Sequence, residues 1–266
     1  MTTTHGYAPV NGLEMYYEVH GTGAPLVLIH GSFSGIGTSF GRLLPHLAKN
    51  RQVIAVELQG HGRTADIDRP LTIPHLADDV AALLRHLDVG QADVLGYSLG
   101  AGITLELARR HPELTRKLVL VSLAHAESGF NPGLLEGMSA LEPAHLEGSP
   151  FHQEYLDTAP NPQDFPTLVA KVKRMTEENP YWSAEAVRSV QTPVLTVIGD
   201  SDIVRPEHAA EMFRLFGGGV AGDVAGLPNS RLAVLPGTTH VTVVHRADLL
   251  APMVEEFLDA PVTQND

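Results

Sequence analysis

The chain has 266 residues, enough for one sizeable core, and its 43% hydrophobic and 18% charged content is that of a globular protein. It has no cysteine, which removes disulfides, thiol catalysis and zinc–thiolate sites. With 18 Lys and Arg against 31 Asp and Glu, the net charge is -13, which speaks against nucleic acid and anionic membrane surfaces as partners. Met1-Thr2-Thr3-Thr4-His5 carries no basic segment followed by an apolar one, so no signal peptide is expected. No apolar run approaches the roughly 20 residues of a membrane span, and a cytoplasmic protein is the expectation.

Residues 13–20 alternate around Met15-Tyr16-Tyr17-Glu18-Val19 and predict an early strand; Gly21 to Pro25 is a turn by composition. Residues 25–30 are almost wholly apolar, the pattern of a parallel strand buried on both faces. That run leads into His30-Gly31-Ser32-Phe33-Ser34-Gly35. This loop lacks the Lys-Ser/Thr of a P-loop, and no G-x-G-x-x-G opens a helix, so no nucleotide site is expected. Its backbone N–H groups, outside any ladder, are suited instead to an oxyanion.

Phe40, Leu43, Leu44 and Leu47 predict a helix over 38–49, and residues 52–57 the next buried strand. Gln59-Gly60-His61-Gly62-Arg63-Thr64 is a loop, and Leu76, Val80, Leu83, Leu84 and Leu87 predict a helix over 73–87. Asp93-Val94-Leu95-Gly96-Tyr97-Ser98-Leu99-Gly100-Ala101-Gly102 then passes from strand to helix with almost no loop. Such a turn forces Ser98 into a crowded backbone conformation that only glycine neighbours leave room for. This G-x-S-x-G pattern is the nucleophile elbow. A helix to about His111 and a buried strand over 117–122 follow.

From about 126 to 189 no convincing strand occurs. Helical stretches such as 132–140 and 165–176 alternate with turns, and seven of the chain's 19 prolines fall here, Pro180 among them. Phe130, Phe151, Tyr155, Phe165, Tyr181 and Trp182 are spread through it. The expected organisation is a core of residues 1–125 and 190–266 with a helical cap over 126–189. Alternation then resumes: a strand over 193–199, a helix over 206–215, a flexible loop over 217–229, a strand over 231–235 and a last helix over 247–258. Residues 261–266 are expected to be a loose tail. The alternation predicts an α/β fold, a mainly parallel central sheet with helices on both faces.

Three strand ends carry chemistry: Ser98; Asp200-Ser201-Asp202; and Gly237-Thr238-Thr239-His240. The carboxyl edge of an open α/β sheet is where sites form. No H-E-x-x-H or comparable ligand spacing occurs among the 14 histidines, so no metal site is expected.

With these pieces in place, the chain resembles the α/β-hydrolase superfamily, in its branch of small esterase-, lactonase- and haloperoxidase-like proteins. The resemblance covers about 12–258 and rests on His30-Gly31, Gly60-His61-Gly62-Arg63-Thr64, Gly96-Tyr97-Ser98-Leu99-Gly100, Gly199-Asp200-Ser201-Asp202 and Gly237-Thr238-Thr239-His240. It implies Ser98 as nucleophile and His240 as general base. It favours Asp202 over Asp200 as the acid that orients His240, because the acid lies three residues after the strand-ending glycine. The oxyanion hole would be the N–H groups of Leu99 and Ser32, with Phe33 next in line. His30 would be structural, His61 would shape its turn, and His245 is a rival base outside the Gly237–His240 turn.

The resemblance implies a cofactor-independent serine hydrolase acting on a small carboxylic ester or lactone; the aromatic and apolar composition of 126–189 points to a neutral, moderately apolar one, with Phe33, Tyr97, Phe130, Met138 and Trp182 expected around the substrate. Within 126–189, ten acidic against four basic residues discourage strongly anionic substrates. Haloalkane dehalogenases and epoxide hydrolases use a carboxylate nucleophile, which Ser98 argues against. The oxyanion loop lacks the proline that favours perhydrolase activity. Carbon–carbon bond hydrolases keep the same three residues and stay open, as does a non-enzymatic ligand receptor on the same fold. The oligomeric state is left open.

Overall fold

The apolar runs become the middle of an eight-stranded sheet. The computed structural model describes residues 3–178 and 181–262; Pro180 and the end of the expected loose tail, 263–266, lie outside the described residues. The strands are β1 (Thr3–Val10), β2 (Leu13–His20), β3 (Ala24–Ile29), β4 (Arg51–Val56), β5 (Ala92–Tyr97), β6 (Thr115–Val121), β7 (Val194–Ser201) and β8 (Arg231–Thr239). Their order across the sheet is β1-β2-β4-β3-β5-β6-β7-β8. β1 pairs antiparallel with β2, and β2 with β4; every pair from β4 to β8 is parallel.

Alternation along these strands builds two cores. Leu26, Leu28, Leu95, Val119 and Val197 face one layer, and Val27, Ile29, Val94, Leu118 and Leu120 face the other. The first layer is covered by α1 (Ile36–Phe40), α2 (Leu44–Leu47) and, later in the chain, a helix over Ala247–Asp259; the second by α3 (Ile73–His86) and α4 (Leu99–Arg110). A strand buried on both faces needs no polar side, which is why β3 reads as an unbroken apolar run.

β1 was not anticipated, although its signal stands in the chain. Asn11 and Gly12 have φ of 48° and 87°. Two consecutive positive-φ residues at Asn-Gly are the requirement of a tight two-residue hairpin turn. The single helix expected over 38–49 is instead two short ones. Gly41 ends α1, and Pro45 sits in the first turn of α2, where its missing N–H costs nothing.

Between β6 and β7 the described residues form helices and turns with no strand: α5 (Leu134–Ser139), α6 (Pro150–Thr158), α7 (Phe165–Glu177) and α8 (Ala184–Arg188). Helix α7 buries Phe165, Leu168, Val169, Val172 and Met175, one face at helical spacing. Helix α6 starts at Ser149, whose hydroxyl accepts the His152 N–H, and α8 starts likewise at Ser183. The chain closes with α9 (Pro206–Leu215), a short α10 (Gly222–Ala225) inside the expected loop, and α11 (Ala247–Asp259).

Candidate active site

Ser98 stands between β5 and α4 with φ 55° and ψ -116°, a conformation an L-residue adopts only under constraint. The constraint is close packing. A Cβ on Gly96 would lie 2.1 Å from the Gly100 carbonyl oxygen, and one on Gly100 would lie 2.0 Å from that of Ile29. The spacing of the motif is therefore the spacing at which strand and helix touch.

His240 follows β8 and reaches Ser98: its Nε2 lies 2.9 Å from Ser98 Oγ. Its Nδ1 lies 2.8 Å from Asp202 Oδ1. A carboxylate only accepts, so Nδ1 donates and Nε2 is left to accept the serine proton. Asp202 is buried, and its carboxylate accepts from Ser122 Oγ at 2.5 Å, Gly199 N at 3.3 Å and Val204 N at 3.2 Å. Burial by itself raises its pKa, but the bonds from His240, Ser122 and Val204 outweigh it and hold the carboxyl below its ordinary value.

Asp200, two residues earlier, is exposed and takes no part in this relay. Its oxygens accept the N–H groups of Gly237 at 2.9 Å and Thr238 at 3.2 Å, fastening the turn that delivers His240. The three other histidines weighed from the sequence are held elsewhere. His30 is fully buried, donating from Nδ1 to the Gly31 carbonyl at 2.8 Å and accepting the Leu58 N–H at 3.1 Å. Burial pushes its pKa down to about 4. His61 is buried, held down to about 3 by desolvation and the nearby His30, and donates to the Gln59 carbonyl at 2.9 Å. His245 donates from Nε2 to the Thr38 carbonyl at 3.2 Å, which leaves it outside the relay.

Ser32 and Leu99 border the same cavity as Ser98 and His240. The Leu99 N–H is the first of α4, with no helical carbonyl four residues before it. Gly31 brings the loop against the serine: a Cβ there would lie 3.3 Å from Ser98 Cβ. The cavity, about 140 Å³, is walled by Phe130, Met138, Met175, Trp182, Ile73 and Leu123 among others, and none of its lining residues is a Lys, Arg, Asp or Glu. The Trp182 indole N–H donates to Glu106 at 2.9 Å, which fixes its ring in the wall.

Two of the expected lining residues lie elsewhere. Tyr97 precedes Ser98 on a strand and so points to the opposite face, among Leu95, Val119 and Val121; its hydroxyl donates to the His240 carbonyl at 3.0 Å. Phe33, with φ 62°, turns its ring into the core. The sequence reading also missed Ser122, whose signal was a serine at the very end of a buried strand, where φ is 59°. Met175 was legible only as an ordinary apolar position of a helix.

The alpha/beta hydrolase fold model matches residues 24–183, more than half of the chain. The chain belongs to the α/β-hydrolase fold family. It is 29% identical over 267 residues to the dihydrolipoyllysine-residue acetyltransferase component of an acetoin cleaving system from Pseudomonas putida, covering 94% of this chain and 68% of that protein. It is 39% identical over 137 residues to a 2-hydroxymuconate semialdehyde hydrolase from Pseudomonas sp. strain CF600, covering 49% of this chain and 46% of that protein. A crystal structure of a serine hydrolase involved in carbazole degradation superposes with a TM-score of 0.78 at 22% identity, covering 97% of this chain and 99% of the other; at that identity the likeness concerns the fold.

This α/β-hydrolase also brings together His125, His208 and Glu211, which the sequence did not flag as a possible ligand set. The hydrogen bonds work against one. His208 Nε2 accepts the His125 backbone N–H at 3.1 Å, so its Nδ1 carries the proton and donates to Glu211 at 3.2 Å. His125 Nδ1 donates to the Trp182 carbonyl at 3.0 Å, and only its Nε2 lone pair remains. Among the described residues no helix is long and apolar enough to cross a membrane.

Proposed function

We propose that this α/β-hydrolase is a cofactor-independent serine hydrolase cleaving a small neutral carboxylic ester or lactone. One observation carries the reading: Ser98, His240 and Asp202 stand in a hydrogen-bonded line, with Ser98 and His240 bordering an uncharged cavity. Ser98 Oγ attacks the carbonyl carbon while its proton passes to His240 Nε2. The N–H groups of Leu99 and Ser32 receive the charge that develops on the carbonyl oxygen. The tetrahedral adduct collapses, the alkoxy bond breaks, and the imidazolium returns its proton to the departing oxygen. Water then attacks the acyl-enzyme, giving its proton to His240. The acid leaves as Ser98 recovers its own proton. Asp202 holds the productive tautomer and offsets the imidazolium charge throughout.

Within this reading, residues 126–189 are the cap and the flanking segments are the core. The cap supplies Phe130, Met138, Met175 and Trp182 to the cavity wall. An apolar wall free of formal charge favours neutral acyl groups, since an ionised substrate group would lose its hydration without a partner. The 39% match to a semialdehyde hydrolase favours carbon–carbon bond cleavage as a second reading with the same three residues. Turnover of a chromogenic short-chain ester beside a vinylogous diketone, each against a Ser98→Ala control, separates the two. Phosphonate labelling mapped to Ser98 tests the nucleophile. Saturable binding with no turnover above the control would return the receptor reading.

A further inference from the structure

The loop that carries Ser32 and Phe33 runs from β3 to α1 and is anchored at two points. Gly31 is held from within the core: its carbonyl accepts from His30 Nδ1 at 2.8 Å and from Ser34 Oγ at 2.8 Å. The other anchor comes from far along the chain. Glu154, on α6, accepts the Gly35 N–H at 2.7 Å through Oε2 and the Thr38 N–H at 3.1 Å through Oε1. The Thr38 hydroxyl donates to Oε2 as well. The residues beneath it are shaped for this carboxylate. A Cβ on Gly35 would lie 3.0 Å from its Oε1, and one on Gly37 only 2.6 Å from the same atom.

Helix α6 buries Tyr155, which packs with His152 against Phe165, and Glu154 adds the polar contact that ties it to the core loop. Its carboxylate is therefore both a tie for this part of the insertion and the far anchor of the loop. A carboxylate accepting three donors in a partly buried site is a strong and directional contact. Ser32 and Phe33 lie between the two anchors, so their N–H vectors depend on where Glu154 sits.

We propose that Glu154 is a positioning residue for oxyanion stabilisation, so that seating α6 on the core and aligning the Ser32 N–H are one event. The proposal rests on the serine-hydrolase reading above. Its consequence is that the insertion acts on the rate of the chemical step and not only on which substrate fits. Glu154 touches no substrate atom; it acts through the loop.

The test uses the full chain with Glu154→Gln, which keeps the size of the side chain but turns an N–H₂ toward N–H donors. Gly37→Ala is the independent variant, pushing on the same carboxylate from the core side, so that poor folding of one leaves the other to decide. Four quantities are read: kcat and KM on a short-chain chromogenic ester, the inhibition constant of an alkylboronic acid, and the unfolding midpoint. The boronate adduct on Ser98 places a negatively charged oxygen where the oxyanion forms. The expected result is a fall in kcat of roughly 10- to 100-fold with KM within about threefold, somewhat less than removal of an oxyanion donor outright. Boronate affinity should fall by a matching factor. A loss carried by KM alone, or kcat and boronate affinity within twofold of wild type while the midpoint drops, overturns the proposal and leaves Glu154 a structural clasp. Should the wild type neither turn over esters nor bind boronate, the functional reading fails by itself, and amide hydrogen exchange decides the anchor. Faster exchange across residues 31–38 in the Gln variant sustains it; unchanged exchange overturns it.

Discussion

The carboxyl edge of the sheet and the insertion between β6 and β7 meet at one cavity, yet they are built on different principles. At the sheet edge each side chain of the candidate site is fixed by the strand that ends beneath it. Ser98 is wedged between β5 and α4, Asp202 is ringed by Ser122, Gly199 and Val204, and His240 is delivered by a turn tied to Asp200. The insertion packs the apolar face of α7, with Tyr155 and Trp182, into the core beneath it and is pinned by a few long polar contacts. Glu154 reaches α1, Lys171 reaches the carbonyls of Ile67 and Arg69 at 2.8 and 3.0 Å, and Trp182 reaches Glu106. Rigid backbone geometry suits the atoms that must react. In the proposed function, side-chain clasps suit a wall whose shape selects the ligand and can vary, the Glu154 clasp alone also setting the oxyanion loop.

That contrast can be broken at its strongest point first. Ser98→Ala should lower ester turnover by roughly 10⁴-fold or more, by analogy with loss of the nucleophile in other triads. Its unfolding midpoint should stay close to wild type, since the hydrogen bond lost is that to the partly exposed His240 ring. A variant keeping a tenth of the activity would remove the sheet edge as the seat of the chemistry.

The next test separates two carboxylates two residues apart. Asp202→Asn should cost about 10³- to 10⁴-fold in kcat, because the productive His240 tautomer loses its acceptor. Asp200→Asn, at the exposed turn, should cost less than about tenfold, the size of a modest positioning loss. Equal losses would mean that holding the turn matters as much as orienting the ring.

Smaller effects are expected in the insertion. Replacing Met138 or Phe130 by Ala enlarges the cavity and should shift the preferred acyl chain upward, changing relative kcat/KM across a series by about 10-fold for each methylene's worth of pocket. Phosphonylation of Ser98 should change less. An unchanged acyl profile would make the insertion a bystander to selection.

The smallest effects are in acidity. Stability has a pH window. The pKa of His30 is lowered from 6.5 to about 4 by burial, so between those values the unfolded chain binds a proton that the folded one refuses. Stability then falls as pH drops through that range. His30→Gln, which can still donate and accept, should give a flatter plot of unfolding midpoint against pH between 7 and 4. An equally steep plot would assign the acid loss to other groups.

Strand positions, the elbow and the order Ser98, Asp202, His240 were legible in the amino-acid sequence, because each is local. Alternation sets which way a strand residue faces, and the glycines around Ser98 record a contact made within a few residues. The separation of Asp202 from Asp200 was half legible. Spacing favoured the former, but what makes it different is burial under Ser122 from a neighbouring strand, a contact 80 residues away. The β1–β2 hairpin was legible in Asn11-Gly12 and passed unread.

Only the tertiary structure could decide what lines the cavity. It removed Phe33, whose positive φ turns the ring into the core, and brought in Met175 from a helix face that reads as plain core; the exclusion of Tyr97 follows from strand parity alone. It also turned Glu154, one acidic residue among many in the insertion, into an anchor for a loop 116 to 119 residues earlier. Nothing in a local pattern marks such a residue. Its role comes from two distant segments being packed together, and a one-dimensional pattern carries no term for that.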